Sequence, residues 1–100
     1  MDYAVENGAN GLAVHIRGRM THADYRGFRE ILGVINENDA PRIIIELSAV
    51  DFVDSSALGM MLIVRDAAVQ QKRTVVLKGA TGQVEKLIHI GKLHKYFVVE

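Results

Sequence analysis

Two carboxylates and two hydroxyls lie close together in the middle of the chain, at Asp51, Asp54, Ser55 and Ser56. Asp54 suits a helix N-cap, because its carboxylate can accept hydrogen bonds from the free N–H groups of a first turn. Ser55 and Ser56 then occupy that turn, where free N–H groups and the helix dipole favour an anion. A serine hydroxyl there is either a spare cap or an acceptor for a phosphoryl group.

Other chemistries fit these residues less well. Asp51 and Asp54 are too few carboxylates for a firm calcium site. Ser55 lacks the G-x-S-x-G elbow of serine hydrolases, and residues 79–82 lack the lysine of a phosphate-binding loop. The histidines lack the spacing of a metalloprotease helix; they are His15, His22, His89 and His94. We therefore expect no metal, no cofactor and no catalytic activity.

A strand and a helix must position these polar residues. Residues 42–47 include three consecutive isoleucines without alternation, a pattern typical of a central parallel strand covered on both faces. From Asp54 to about Gln71 the pattern is helical, with Val53 and Leu58 at the spacing of a hydrophobic staple. The serines thus lie at the carboxyl end of a parallel strand, where functional sites are common.

The predicted helix has one outer stripe and one core face. At 100° per residue the stripe contains Ser55, Gly59, Asp66 and Gln70, and Leu62 and Ile63 lie at its flanks. The core face contains Ala57, Leu58, Met60, Met61, Val64, Ala67 and Ala68. A glycine within a helix costs about 1 kcal/mol relative to alanine. Gly59 therefore indicates close approach of another backbone, either from a partner or from the chain's own sheet.

The rest of the chain predicts an α/β domain. Residues 3–6 and 12–17 read as a hairpin, with Gly18 ending its second strand, and Thr21 is a plausible N-cap for a helix that continues to Asn36. The remaining predicted elements are a strand at 74–78, a short helix and its exit around Val84, Leu87, Ile88 and Leu93, and a strand at 96–99. We expect one domain over residues 1–100, with a mixed sheet of about five strands, three helices and a right-handed crossover between residues 42 and 78.

Composition narrows the class of protein. The 100 residues are 49% hydrophobic, and 12 lysines and arginines balance 12 aspartates and glutamates, so nothing in the charge favours nucleic acid or an anionic membrane. There is no cysteine, and no apolar stretch approaches the ~20 residues of a membrane span. We expect a globular cytoplasmic protein without membrane insertion or a secretory signal.

The segment from Asp54 to Gly59, preceded by Val50-Asp51-Phe52-Val53 and a strand, resembles the D-S-[ST]-[GA]-L-G signature of STAS domains, especially the bacterial anti-sigma factor antagonists. Gly18-Arg19-Met20 resembles the G-x-[LF] that precedes the first helix of that family. The resemblance implies that Ser55 is phosphorylated by an anti-sigma factor or switch kinase of the histidine-kinase-like ATPase type, with Ser56 as the alternative acceptor. A PP2C-type phosphatase would reverse the modification, and the unphosphorylated form would bind the regulator and free another protein.

Two positions depart from the family pattern. Ala57 replaces the glycine of the best-known members, and Thr21 replaces an aspartate that contacts the partner kinase in many of them, whereas His22 matches. The predicted partner-binding residues are Thr21, His22, Asp54, Ser56, Gly59, Leu62, Ile63 and Asp66. The competing function is a structural subunit that supports the ATPase of a bacterial lipid-transport system without a phosphorylation cycle. An enzyme is the third possibility.

Overall fold

Five β-strands and three α-helices follow one another in the computed structural model, which describes residues 1–100. The strands are β1 (Asp2–Gly8), β2 (Gly11–Met20), β3 (Arg42–Val53), β4 (Thr74–Lys78) and β5 (Val98–Val99). The helices are α1 (Tyr25–Glu37), α2 (Ser55–Gln70) and α3 (Gly82–Ile90), and short 3-10 turns lie at His22–Asp24 and Leu93–Lys95. This order of elements confirms the one predicted from the sequence.

The strands form one mixed sheet in which spatial order equals chain order, β1-β2-β3-β4-β5. β1 and β2 pair antiparallel, which confirms the hairpin, whereas β2 to β5 are parallel neighbours. Each parallel connection passes through a helix and moves one strand further in the same direction. Successive crossovers of one hand then place every helix on the same face of the sheet.

The core lies between that face and the helices. Alternate residues of β3, namely Ile43, Ile45 and Leu47, are buried in a continuous cluster that also takes in the buried residues of all three helices. Ile44 and Glu46 point the other way and are only half-buried. The expectation that β3 is covered on both faces is therefore wrong, because the helices cover only one face of the sheet. The placement of the helices depends on the strand order, which three isoleucines in a row do not reveal.

A short apolar row explains why Ile44 is an isoleucine on a face without helices. The strand register aligns Ala13, Ile44, Val76 and Val98 across four strands. Val76 is completely buried, yet it lies outside the main core cluster. Cross-strand packing of these side chains covers the middle of the outer face.

Several predicted boundaries were wrong. β2 continues past Gly18 to Met20, because the positive φ of 87° at Gly18 and the neighbouring register shifts bend the strand without ending it. β3 extends to Val53, where the last residues pair with the extended β2. β5 contains only Val98–Val99, since residues 93–95 form a 3-10 turn whose carbonyl at Leu93 accepts from the N–H groups of residues 96 and 97.

Thr21 does not cap α1 directly. Its hydroxyl accepts from the Ala23 N–H at 3.3 Å, and Asp24 accepts from the Thr21 N–H at 2.8 Å, which is a capping box around the 3-10 turn. α1 then begins at Tyr25, whose side chain is 59% exposed although its spacing fits the apolar face. None of the helices is long and apolar enough to cross a membrane.

Candidate functional site at the β3–α2 corner

The predicted strand-to-helix corner is formed by a single non-helical residue, Asp54, between β3 and α2. Its backbone is extended, with φ −107° and ψ 175°, and its Oδ1 accepts from the Ala57 N–H at 2.8 Å. The Leu58 N–H donates to the Asp54 carbonyl at 3.3 Å, which starts the helical ladder. Asp54 is therefore the N-cap, as the sequence predicts.

The second oxygen of Asp54 reaches the start of the other helical segment. Oδ2 accepts from the His22 N–H at 3.0 Å and lies 3.4 Å from Nδ1 of the His22 ring. The Asp54 N–H in turn donates to the Met20 carbonyl at 3.2 Å. Asp54 thus links the start of the 3-10 turn to the start of α2.

These contacts change the acidity of Asp54. Partial burial on its own raises the pKa of this carboxyl, but the N–H groups of Ala57 and His22 and the His22 ring together hold its pKa below the usual value. Asp24 in the neighbouring capping box follows the same logic: burial raises its pKa, and its contacts with Thr21 and the chain's amino group outweigh that and lower it. Both carboxylates therefore lose their charge at a lower pH than a free aspartate does.

Ser55 and Ser56 occupy the first turn of α2, and both are exposed. Neither hydroxyl makes a hydrogen bond within the chain, and the hydroxyl of Ser55 is not bonded to His22. Because Asp54 serves as the cap, the alternative in which a serine is needed as a spare cap loses its basis. The N–H groups of Ser55 and Ser56 also have no acceptor in the chain.

The side chain of Gln83 on α3 supports the corner, and no pattern in the sequence indicates this contact. Beyond Glu46, β3 has no strand partner on its β4 side. At Val53 the Gln83 side-chain amide takes that place: Oε1 accepts from the Val53 N–H at 3.0 Å, and Nε2 donates to the Val53 carbonyl at 2.8 Å. The residue before the cap is thereby fixed on both backbone groups.

The outer face of α2 extends away from the serines. Ser55, Ser56, Gly59, Ile63 and Asp66 are exposed and Leu62 is half-buried, so the predicted stripe is on the surface. At 1.5 Å per residue, Asp66 lies about 16 Å along the axis from Ser55. The corner therefore brings Thr21 and His22 close to the serines, whereas Asp66 lies at the far end of an extended surface.

Gly59 faces open space. A Cβ built on it would meet nothing within 4 Å. This excludes the alternative in which Gly59 is needed for packing against the chain's own sheet. Met60 and Ala67, which the helical period predicts on the core face, are only half-buried. Met60 lies on the flank of α2 beside α1, where it lines a depression together with Leu32.

The family model of the STAS domain matches residues 2–100. This chain belongs to the STAS domain family. A STAS-domain containing protein of Pseudomonas aeruginosa is 29% identical over 91 residues, which is 88% of this chain and 86% of that protein. The match over residues 2–100 confirms the resemblance to STAS domains that the segment from Asp54 to Gly59 indicates.

Solved structures share the fold of this STAS domain. An anti-sigma factor antagonist from Mycobacterium paratuberculosis matches with a TM-score of 0.86 at 19% identity, over 98% of this chain and 83% of that one. The antagonist SpoIIAA in its unphosphorylated form matches with a TM-score of 0.81 at 18% identity, over 99% of this chain and 88% of that one. The phosphorylated form of SpoIIAA from Bacillus matches with a TM-score of 0.73 at 16% identity, over 99% of this chain and 91% of that one. At such identities these matches establish the SpoIIAA-like fold.

The fold accommodates the two departures of this STAS domain from the family pattern. Ala57 is completely buried within the first turn of α2 and has a helical environment that needs no glycine. Thr21 is half-buried, and its hydroxyl is used within the capping box. His22 beside it leaves its side chain 80% exposed. The STAS domain has no group of three or more His, Cys, Asp or Glu side chains placed to hold a metal ion.

Proposed function

We propose that this STAS domain is an anti-sigma factor antagonist that acts by partner switching at Ser55. The unphosphorylated form binds a regulatory partner, and phosphorylation of Ser55 releases it. One observation carries the proposal: the Ser55 hydroxyl is exposed and unbonded at a helix N-terminus whose cap is supplied by Asp54. That hydroxyl contributes nothing to the fold that modification would remove.

The corner has the electrostatics to hold a phosphoryl group. Phosphoserine carries about −1.5 to −2 charges at neutral pH. The unpaired N–H groups of Ser55 and Ser56 and the α2 dipole favour such an anion. Asp54 opposes it by like-charge repulsion, but both of its oxygens already accept hydrogen bonds from N–H groups. We expect the fold to persist, and the solved structures of SpoIIAA in its unphosphorylated and phosphorylated forms support this expectation by analogy.

The main effect of phosphorylation is to weaken binding of the partner. The outer face of α2, with Gly59, Ile63 and Asp66, adjoins His22 and Ser56 to form one docking surface. A hydrated dianion at its end must lose water on binding, which is costly without a matching cation. The partner is an anti-sigma factor with serine kinase activity of the histidine-kinase-like ATPase type, and a PP2C-type phosphatase restores the binding form. The STAS domain is then a kinase substrate and not an enzyme.

The test compares Ser55→Ala and Ser55→Asp as baits in pull-downs, with intact-mass analysis of the bound chain. Ser55→Ala should retain the partner constitutively and Ser55→Asp should lose it, while both melt close to the parent. Ser56→Ala is the matched control, since Ser56 is equally exposed on the same turn. Mapping of the phosphate to Ser56 would move the switch by one residue. Equal retention by Ser55→Ala and Ser55→Asp would contradict the switch.

A structural subunit of a lipid-transport ATPase is the second candidate. The observation in its favour is Thr21, whose hydroxyl is engaged in the capping box and which offers no carboxylate to a kinase. On this alternative the same docking surface would hold a transporter ATPase, and the charge at residue 55 would not regulate it. Retention of a transporter component by both Ser55 variants is the expected outcome.

A further inference from the structure

An apolar groove runs between α1 and α2 beside the docking surface. Its walls are formed by Tyr25, Arg29 and Leu32 on α1 and by Met60 and Ile63 on α2, over a buried apolar floor. Tyr25 is 59% exposed and Ile63 is 57% exposed, so two large apolar side chains remain open to solvent at its rim. Exposed apolar side chains that line a concave site indicate an interaction surface.

Hydrogen bonds link the two helical segments at both ends of the groove. At one end Asp54 joins the starts of the two helical segments through the His22 N–H at 3.0 Å. At the other end the Gln71 amide donates to Asn36 Oδ1 at 3.0 Å. The two helices therefore start together and end together, and the groove between them is preformed.

Its size excludes most small molecules. The volume is about 150 Å³, whereas pockets for small ligands usually measure about 300–1,000 Å³. One or two aliphatic side chains fit this volume. Side chains four residues apart on a helix lie on one face, about 6 Å apart along the axis. A helix of a partner protein can therefore insert two of them along the groove.

The charge of the groove wall indicates which side chain a bound partner would place there. Arg29 is the one charged residue in the groove wall, and it forms no ion pair: its guanidinium lies 5.8 Å from the Tyr25 ring centre. No carboxylate lines the groove. A carboxylate on the occupant would gain an arginine that is not already paired, and arginine is frequent among the residues that dominate binding energy.

We infer that this groove takes an amphipathic helix of the regulatory partner, which inserts two aliphatic side chains and presents an aspartate or glutamate to Arg29. The inference rests on the proposed function, because Ile63 belongs both to the groove wall and to the docking surface around Ser55. It assigns the partner a second contact, about two helical turns from the switch and of fixed chemistry.

Two peptides test the groove by methyl NMR of the full chain. Both are alanine-based helices with two leucines four residues apart, and one carries an aspartate on the same face where the other carries a lysine. The aspartate peptide should shift the methyl signals of Leu32, Met60 and Ile63, with about tenfold tighter binding than the lysine peptide. Arg29→Glu should reverse this preference, whereas Arg26→Glu, on the outer side of α1, should not.

A second pair of variants separates the groove from the rest of α2. Ile63→Ala should weaken binding of the aspartate peptide, whereas Val69→Ala should not, although Val69 is also 45% exposed. Equal affinity for the two peptides, no response of these methyls at millimolar peptide, or shifts confined to other surfaces would overturn the inference. Shifts of the same methyls on raising the concentration of the chain alone would assign the groove to a second copy and overturn it too.

The groove and the switch fail in different variants. Ser55 is not part of the groove wall, so the switch and the groove are tested at different residues. If Arg29→Glu weakens peptide binding while the two Ser55 baits retain the same proteins, the groove stands without the switch. If the Ser55 baits differ while both peptides bind equally, the switch stands and the groove is not the partner's contact.

Discussion

Asp54 is the residue through which local and long-range structure meet. One oxygen caps α2 three residues ahead, and the other accepts from the His22 N–H across 32 residues of sequence. A neutral amide at this position can satisfy only the first of these bonds, because its NH₂ group would face the His22 N–H. The position therefore favours aspartate over asparagine, although both are good N-caps.

This residue gives a pH-dependent prediction. The pKa of Asp54 is lowered in the folded state, so its contribution to stability is full above the unfolded pKa of about 3.9 and is lost as the pH falls through the folded value. At pH 7, Asp54→Asn should lower the free energy of unfolding by about 1 kcal/mol. In urea unfolding the gap to the parent should shrink below about pH 4.

Asp54→Ala provides the control. It should cost about 1 kcal/mol or more at neutral pH through the lost cap. Since neither variant titrates at residue 54, the difference between Asp54→Asn and Asp54→Ala should stay constant with pH. A parent-to-Asn gap that is the same at pH 7 and pH 3 would show that the charge of Asp54 does not stabilise the fold.

At the scale of elements, α2 contains a glycine, Gly59, that the packing of the fold does not require. Gly59 lies inside the helix with open space where a Cβ would be. Gly59→Ala should therefore raise the free energy of unfolding by about 1 kcal/mol, as helix propensity predicts. Gly59→Arg should also fold, and it should abolish retention of the partner in pull-downs, because a long side chain would cover the docking surface.

Gly33 of α1 is the matched control for Gly59. It is also exposed, and a Cβ on it would also meet nothing within 4 Å. Gly33→Ala should stabilise the chain to a similar extent, and Gly33→Arg should leave partner retention intact. If Gly59→Arg retains the partner as well as Gly33→Arg does, the outer face of α2 is not the docking surface.

At the scale of the whole molecule, Arg73 ties several elements together just before β4. It is only 6% exposed, and its guanidinium donates to the carbonyls of Ile35 at 2.7 Å and Ala40 at 2.6 Å and to the side chain of Gln71 at 2.9 Å. None of these acceptors is a carboxylate. The charge is stabilised by carbonyl oxygens at and beyond the C-terminal end of α1, where the helix dipole favours a cation.

Loss of the Arg73 hydrogen bonds should lower the stability of the whole domain. Arg73→Leu leaves buried carbonyls unpaired and should lower the free energy of unfolding by about 3 kcal/mol in urea unfolding. Arg73→Lys keeps the charge but not the planar fork, so its cost should be smaller but still clear. Arg26→Leu on the exposed side of α1 is the control. A loss for Arg73→Leu no greater than that of the control would mean that the bonds to Ile35 and Ala40 add no net stability.

The sequence by itself determined what depends on near neighbours. The cap at Asp54 acts over three residues, the β1–β2 hairpin depends on a turn, and β4 spans residues 74–78 as its apolar run predicts. The signature from Asp54 to Gly59 was sufficient to indicate the family. The placement of Ser55 and Gly59 on the helix surface followed from the helical period alone.

Only the tertiary structure decided what depends on strand order and on contacts between distant residues. Because the strands lie in chain order, every helix covers the same face, and Ile44 lies on the other. The Gln83 contact with β3 joins residues 30 apart, and the Arg73 bond to Ile35 joins residues 38 apart. The groove exists only where α1 meets α2. No local period records such pairings, since each is selected by the packing of the whole domain.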